Sequence, residues 1–368
     1  MLFLSGGSQN GAFGAGFLKG WSEASGGLPS FRVVTGISTG SIISTFAFLG
    51  DADTPYNYYQ IVREEDVLNP FVSSGGSSLS LTQLPVVARR GAVGELQPLR
   101  EKLRELFVHD LLTKVASQHA AGRKLFVAAV DIDTGKAVVF DMGEMAKRAT
   151  MPGADFNRYQ ECYVEAIIAS SSVPLAAKPT FIDNRMYIDG GARFGLITDE
   201  IGRLISEIPE GFIEDRPAVY AIVNGTLEIE QVCGKQDESL CRSAQGANAD
   251  LLGAHKDWSL DGLAFRSMGI LINQGYRFST QSLLQRAGEL KYPFHLARVE
   301  PDVAQYRHRL QHPQLGEGYL TCPEWRRVDV KRDRPLEFHP RFMRCLAAYG
   351  RERGRSGSWR TVAPEGGR

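Results

Sequence analysis

Ser38 is the residue of this sequence whose setting best suits a catalytic nucleophile. It lies in the stretch GISTG, between Gly36 and Gly40, and a G-x-S-x-G pattern can form the sharp strand-to-helix turn that exposes a serine in hydrolases. An ordinary turn of small residues would show the same pattern. The apolar stretches on either side, residues 31–35 and 41–50, are typical of a strand followed by a helix, and this context favours the nucleophile.

A carboxylate that could activate Ser38 is Asp189. It ends a short apolar stretch and is followed by Gly190 and Gly191, where a side chain can emerge at the edge of a sheet. Asp-Gly is also a frequent sequence in ordinary turns. The residues alone therefore leave both interpretations of Asp189 open.

Histidine, the usual base for a serine nucleophile, has no recognisable catalytic setting in this chain. In α/β-hydrolases the serine follows several strands and the histidine comes late, whereas here only 37 residues precede Ser38. The seven histidines are His109, His119, His255, His295, His308, His312 and His339. Their helical, polar or strand surroundings are typical of surface or core positions, so a triad of Ser, His and Asp is not predicted.

The stretch SGGSQNGAFGAG, residues 5–16, could bind an anion. Consecutive small residues before a helix present backbone N–H groups, which suits either an oxyanion hole or a phosphate loop. The phosphate loop is disfavoured because no Gly-Lys-Ser/Thr follows and Asn10 stands where a cation would help a nucleotide.

Composition argues against two classes of function, nucleic-acid binding and a structural zinc site. Lys and Arg total 42 and Asp and Glu total 42, for a formal net charge of zero, which gives no overall attraction to nucleic acid. No C-x-x-C pair occurs, so a structural zinc site is not expected. Cys233 and Cys241 flank a polar stretch that a disulfide could close, but two reduced cysteines are expected unless the protein is exported.

The start of the chain bears on localisation. No apolar run is long enough to cross a membrane, and Met1 is followed at once by a predicted strand rather than by the charged segment of a signal peptide. We therefore expect a soluble, cytoplasmic protein. The alternative is export or a place in the cell envelope, if a longer N-terminus exists.

Apolar strands and helical stretches alternate along the first 50 residues. Residues 2–4 and 31–36 predict strands, and residues 11–25 and 41–50 predict helices, with glycine-rich turns between them. This alternation predicts an α/β fold with a mostly parallel sheet covered by helices. Later elements are a hairpin at 124–142, helices at 96–107 and 263–287, a helix within 163–182 that stops near Pro174, and strands at 185–191, 217–225 and 292–301.

Two stretches predict irregular structure. Residues 69–94 are rich in Ser and Gly and predict a long connection. Leu84, Pro85, Val86 and Val87 form an apolar island there, beside Arg89 and Arg90. This island would suit contact with a phospholipid surface, although a loop that merely covers the core is slightly favoured. Residues 351–368 are basic and rich in Gly, and we expect them to be disordered.

Four stretches, in this order, resemble the patatin-like phospholipase family. Residues 6–16 are similar to its glycine-rich oxyanion motif, GISTGS to its nucleophile elbow, ASSSVP to its small-residue helix end, and YIDGG to its Asp-Gly-Gly/Ala motif. The resemblance covers residues 1–350 as one acyl hydrolase domain. It implies a three-layer α/β/α fold with a central, mostly parallel sheet.

The resemblance also implies residue roles. In this family a dyad of Ser and Asp hydrolyses acyl esters of lipids without a metal or other cofactor, so Ser38 would be the nucleophile and Asp189 the base. Backbone N–H groups would form the oxyanion hole, and five glycines belong to the motifs. The oxyanion-hole N–H groups would be those of Gly6, Gly7, Ser8 and Thr39. The motif glycines would be Gly11, Gly36, Gly40, Gly190 and Gly191.

Two positions depart from the family pattern. Ser8 stands where a third glycine is usual, and Asn10 stands where Lys or Arg is frequent. Ser8 still carries a backbone N–H, so the oxyanion hole is retained. The missing cation bears on rate or head-group preference rather than on the class of reaction.

The expected function is that of a phospholipase A-type lipid acyl hydrolase, which forms an acyl-enzyme, acts on a lipid or acyl-ester substrate and touches a membrane surface. It would not bind nucleic acid. One alternative is a soluble carboxylesterase or thioesterase on the same dyad. Another is a non-catalytic protein that binds acyl lipids, and the presence of both Ser38 and Asp189 argues against it.

Overall fold

A central sheet of nine strands runs through the part of the chain that the structure describes. This computed structural model describes residues 1–72, 84–198, 217–228 and 260–363. In chain order the described strands are β1 (Leu2–Leu4), β2 (Val33–Ile37), β3 (Asn69–Pro70), β4 (Ala92–Glu95), β5 (Lys124–Asp131), β6 (Lys136–Asp141), β7 (Leu175–Ala177), β8 (Thr180–Ile182), β9 (Arg185–Asp189), β10 (Val219–Val223), β11 (Phe294–Arg298), β12 (Arg307–His312), β13 (Gly316–Thr321) and β14 (Arg360–Val362).

The sheet is parallel at its centre and antiparallel at its edges. The order is β14-β11-β10-β1-β2-β5-β9-β8, and β6 also pairs with β5. The strands β11, β10, β1, β2 and β5 pair in parallel, whereas β14, β6, β9 and β8 pair antiparallel to their neighbours. The predicted α/β class is therefore confirmed, as are the early strand and helix alternation and the hairpin of β5 and β6.

Helices cover both faces of this sheet. They are α1 (Gly11–Ser25), α2 (Thr39–Leu49), α3 (Asp53–Tyr58), α4 (Leu84–Arg90), α5 (Gln97–Leu106), α6 (His109–Ala120), α7 (Met142–Ala149), α8 (Phe156–Ser171), α9 (Leu260–Glu289), α10 (Cys322–Arg332) and α11 (Pro340–Arg355). Side chains alternate between the faces of a strand. In β1, Leu2 and Leu4 pack in the main core with α1 and α2, whereas Phe3 packs on the other face with residues of α9.

The C-terminal region is ordered where we expected disorder. Helix α11 continues to Arg355, and β14 pairs with β11. Helices α1 and α11 pack at backbone contact, since a Cβ at Gly16 would lie 2.1 Å from the carbonyl oxygen of Ala347. Trp359 packs edge-on against Phe17. The prediction of disorder from residue 351 is therefore wrong for residues 351–363, because buried aromatic and close helix contacts outweigh the basic composition. Residues 364–368 lie outside the described residues.

Two other expectations need correction. Residues 69–94 are not one irregular connection, because they contain α4 and most of β4, and β3, β4 and β7 form a small sheet. Residues 73–83 lie outside the described residues. Helix α8 begins at Phe156, earlier than the predicted 163, where the Asp155 carboxylate caps it by accepting a hydrogen bond from the N–H of Arg158.

A disulfide joins Cys322, at the start of α10, to Cys345 in α11. The spacing of these cysteines had not suggested a pair. Both are fully buried, in a small cluster with Trp325. Cys233 and Cys241 lie outside the described residues. Within the described ranges, no helix is both long enough and apolar enough to cross a bilayer.

Candidate active site

Strand β5 brings Ser38 and Asp189 together. Ile37, the last residue of β2, lies opposite Ala128 of β5, and Asp189, the last residue of β9, lies opposite the next residue, Ala129. Strand β2 runs parallel to β5 and β9 runs antiparallel to it, so both strands end against neighbouring positions of β5. Ser38 follows Ile37 directly and therefore lies next to Asp189.

Ser38 occupies a strained turn between β2 and α2. Its backbone has φ 52° and ψ −124°, a conformation that residues other than glycine rarely adopt. A Cβ at Gly36 would lie 2.3 Å from the carbonyl oxygen of Gly40, and one at Gly40 would lie 2.5 Å from the carbonyl oxygen of Leu4. The tight turn therefore requires glycine at both flanking positions.

The Ser38 side chain lies close enough to the Asp189 carboxylate to lower the pKa of that carboxyl group, and each residue is only 3% exposed. Oδ1 of Asp189 also accepts a hydrogen bond of 2.6 Å from the backbone N–H of Gly191. Burial raises the pKa of Asp189 from 3.8 to about 7, and the Ser38 side chain and the Gly191 N–H offset this only in part. A carboxylate with this pKa can accept a proton near neutral pH.

Residues at the end of α8 hold the pair in place. Ser170 Oγ accepts a hydrogen bond of 2.9 Å from the N–H of Ser38 and donates one of 2.6 Å to the carbonyl oxygen of Ala128. The carbonyl oxygen of Ser172 accepts a 2.9 Å bond from the N–H of Asp189. The small-residue helix end thus positions both members of the pair, a role that its sequence had not revealed.

The glycine-rich loop lies against Ser38. A Cβ at Gly6 would lie 3.0 Å from the Cβ of Ser38. The backbone N–H groups of Gly6 and Gly7 have no hydrogen-bond acceptor among the described residues, so they are available to an anionic atom. Ser8 follows with a positive φ of 49°, and Thr39 is the first residue of α2, where N–H groups lack intrahelical acceptors.

Asn224, at the end of β10, fixes this loop. Its side-chain amide donates a bond of 2.8 Å to the carbonyl oxygen of Ser5 and accepts one of 3.0 Å from the N–H of Gly14 in α1. A Cβ at Gly7 would lie 2.0 Å from the carbonyl oxygen of Asn224. Asn224 had been predicted only as part of a core strand.

Tyr276 of α9 is a second residue that the sequence did not single out. A Cβ at Gly6 would lie 2.3 Å from its hydroxyl oxygen, one at Gly191 would lie 3.3 Å from the same oxygen, and one at Gly195 would lie 2.5 Å from its ring. Three glycines therefore make room for this side chain beside the candidate dyad. Burial, and then the charge of Asp189, raise the pKa of Tyr276, so its hydroxyl stays protonated.

An apolar cavity opens beside Ser38, with a volume of about 50 Å³. Thr39 and Tyr59 also line it, and their hydroxyl groups are hydrogen-bonded to each other. A Cβ at Gly11 would clash with both hydroxyl groups, which explains that motif glycine. The apolar lining residues include Ile42, Ile61, Val67, Leu96, Leu99 and Met343. This surface suits a hydrocarbon chain attached to an ester at Ser38.

The described histidines take no part in this arrangement. None of them is hydrogen-bonded to Ser38 or Asp189 within the described ranges; His255 lies outside these ranges. His339 contacts Gln9 of the glycine-rich loop, and burial lowers its pKa to about 4. Among the described residues, no group of three or more His, Cys, Asp or Glu could hold a metal ion.

The apolar island beside Arg89 and Arg90 is only partly described. Pro85 and the two arginines are exposed and Val87 is half-buried, while the side chains of Leu84 and Val86 lie outside the description. The Arg90 guanidinium stacks 4.3 Å above the ring of Phe71. Whether this segment touches lipid stays a prediction.

Comparisons with known proteins agree with the motifs. The family model for patatin-like phospholipases matches residues 2–200, a span that contains Ser38, Asp189 and the glycine-rich loop. Among solved structures, the chain is similar to VipD from Legionella pneumophila, with 12% identity and a TM-score of 0.35 over 98% of this chain and 67% of that one. No curated protein matches the chain.

Proposed function

The chain belongs to the patatin-like phospholipase family, and we propose that it cleaves fatty-acyl esters of lipids through Ser38 and Asp189. The family supports a lipid acyl hydrolase in general terms. The observation that carries the specific proposal is the placement of Ser38 beside the buried Asp189, next to an apolar cavity. A strained serine, a base and an acyl-binding surface are the parts that ester hydrolysis needs.

The first step forms an acyl-enzyme. Asp189 accepts the hydroxyl proton of Ser38 while Ser38 Oγ attacks the ester carbonyl carbon. The negative charge that develops on the carbonyl oxygen is stabilised by backbone N–H groups of Gly6 and Gly7, with those of Ser8 and Thr39 alongside. The ester C–O bond then breaks, and Asp189 returns the proton to the departing alcohol.

Water completes the cycle. Asp189 takes a proton from a water molecule that attacks the acyl carbon, and the same N–H groups stabilise the second tetrahedral intermediate. Its collapse releases the fatty acid and returns the proton to Ser38. A buried carboxylate with a pKa of about 7 can act as the base and then as the acid at neutral pH.

The narrow cavity supports a second candidate, a soluble carboxylesterase or thioesterase on the same dyad. A cavity of about 50 Å³ is small for a long acyl chain, so short acyl esters are the alternative substrates. A series of p-nitrophenyl esters from two to sixteen carbons separates the candidates. A maximum of kcat/KM at long chains, together with hydrolysis of phosphatidylcholine in micelles, supports the lipid hydrolase.

Contact with a membrane surface is part of the proposal. Val87→Asp should weaken hydrolysis of phospholipid vesicles and leave hydrolysis of a short soluble ester unchanged, if the Arg89 and Arg90 segment meets lipid. Equal loss on both substrates would contradict this contact.

The decisive kinetic test uses Ser38→Ala, Asp189→Asn and the double variant. Each should lower kcat on a soluble ester by at least about 10³-fold, with no additive effect, because the two residues act as one unit. Ser44→Ala is the matched control, since it removes another buried hydroxyl from α2 that bonds to Ser41 rather than to Asp189. Ser38→Ala with activity within tenfold of wild type would reject the proposal.

A further inference from the structure

Residues 335–339 lie outside the family match and yet contact the glycine-rich loop at two points. Ser8 Oγ donates a hydrogen bond of 2.5 Å to Glu337 Oε1. Gln9 Oε1 accepts a bond of 3.2 Å from the N–H of His339. Phe338 lines the apolar cavity together with Ser8 and Ser38. The segment therefore touches both the loop and the acyl-binding surface.

The same segment is itself held rigidly. The carboxylate of Glu64, which is 7% exposed, accepts hydrogen bonds from three consecutive backbone N–H groups, those of Leu336, Glu337 and Phe338, at 2.8, 2.5 and 2.9 Å. The segment also lies within the chain loop closed by the Cys322–Cys345 disulfide. It thus provides a fixed point for the glycine-rich loop.

Ser8 is the part of the glycine-rich loop that most needs such support. Its φ of 49° is disfavoured for any residue with a side chain. A glycine would adopt it without cost, and the family pattern has glycine there. In this chain the hydroxyl bond to Glu337 compensates for the Cβ, because a hydrogen bond to a carboxylate is among the stronger ones.

We infer that Glu337 is a positioning residue of the active site, which acts through the Ser8 hydroxyl to hold the N–H groups of Gly6 and Gly7 in line with the ester carbonyl. This inference rests on the proposed function, since the loop is an oxyanion hole only if Ser38 is the nucleophile. The pKa of Glu337 is raised overall by burial, with a smaller contribution from the charge of Glu64, and the Ser8 hydrogen bond and Arg326 lower it only in part.

The experiment is a double-mutant cycle on a soluble ester, with kcat and KM measured separately. Ser8→Ala, Glu337→Ala and the double variant should each lower kcat by about tenfold with little change in KM, because a small displacement of oxyanion donors affects the transition state more than substrate binding. The three values should agree within about twofold, since each variant breaks the same bond. Glu337→Gln, whose amide oxygen can still accept from Ser8, should recover most of kcat.

Controls separate positioning from general destabilisation. Asp302→Ala removes a carboxylate that bonds to Tyr349 rather than to the loop, and should keep the wild-type kcat. Wild-type kcat in folded Glu337→Ala, or losses that multiply in the double variant, would overturn the inference. If Glu337→Ala does not fold, Ser8→Ala decides alone, and a wild-type kcat for it overturns the inference. An active Ser38→Ala would instead reject the proposed function.

Discussion

Ser38 and Asp189 lie side by side, and each is almost completely buried. Strand β5 brings them together, because it pairs with both β2 and β9, and these two strands end opposite its successive residues Ala128 and Ala129. Burial also makes Asp189 a stronger base, because it raises the pKa of this carboxyl group to about 7. A more exposed carboxylate would be a weaker base for a serine proton.

Activity should rise with pH through about 7. Asp189 must be ionised to accept the Ser38 proton, and its pKa in the folded protein is about 7. The logarithm of kcat/KM should therefore increase with unit slope below this pH and level off above it. A rising limb centred near pH 4, the ordinary range of a carboxyl group, would show that Asp189 is not the titrating base.

Asp189→Asn should be more stable than wild type at pH 8 while being inactive. The pKa of Asp189 is raised on folding, so its protonated form favours the native state below pH 3.8 and this contribution is lost as pH rises through 7. At pH 8 the variant avoids a buried charge worth on the order of 4 kcal/mol at most. Thermal unfolding at pH 4 and pH 8 measures the effect, and an equal difference in Tm at both pH values would contradict it.

Gly6→Ala should lower kcat strongly, and Tyr276→Phe should restore part of it. The added Cβ would lie 2.3 Å from the Tyr276 hydroxyl oxygen and 3.0 Å from the Cβ of Ser38, so the loop must shift. Removing the hydroxyl oxygen leaves the nearest ring carbon at 3.4 Å, which relieves the worse contact. The comparison is kcat for the single and double variants. A double variant no better than Gly6→Ala would argue against this packing.

Leu99→Ala should shift the preferred acyl chain towards longer esters. Leu99 lines the cavity beside Ser38 and is buried, so truncation enlarges the cavity at a cost of about 2–5 kcal/mol in stability. Leu112→Ala is the control, because Leu112 is equally buried in the same core but belongs to α6 and does not line the cavity. The same shift in both variants would mean that loss of stability, not cavity size, changes the preference.

Local sequence signals predicted the parts of the site that depend on backbone geometry. Gly36 and Gly40 were predicted because tight turns restrict residue type at fixed spacing, whereas the role of Asp189 was implied by the resemblance to the family. Tyr276 and Asn224 carry no such signal, since they reach the site through strand order and helix packing. The assignment of a domain to residues 1–350 stays a prediction, because the family match ends at residue 200.

The C-terminal region shows why composition alone misled. Arg351 and its neighbours look typical of a disordered segment, yet Gly350 lets α11 touch α1, where a Cβ would lie 2.2 Å from the carbonyl oxygen of Phe13. Contacts between distant parts of the chain decide such cases. The Cys322–Cys345 disulfide was missed for the same reason, because its two cysteines meet only when α10 and α11 pack together.

The most direct test of the account is covalent labelling by a fluorophosphonate, which reacts with activated serine nucleophiles. We expect one adduct on the peptide that contains Ser38, found by mass spectrometry, and none on Ser38→Ala. Asp189→Asn should be labelled far more slowly, because Ser38 then lacks its base. An adduct on another serine, or labelling of Ser38→Ala at the wild-type rate, would contradict the central claim that Ser38 is the nucleophile.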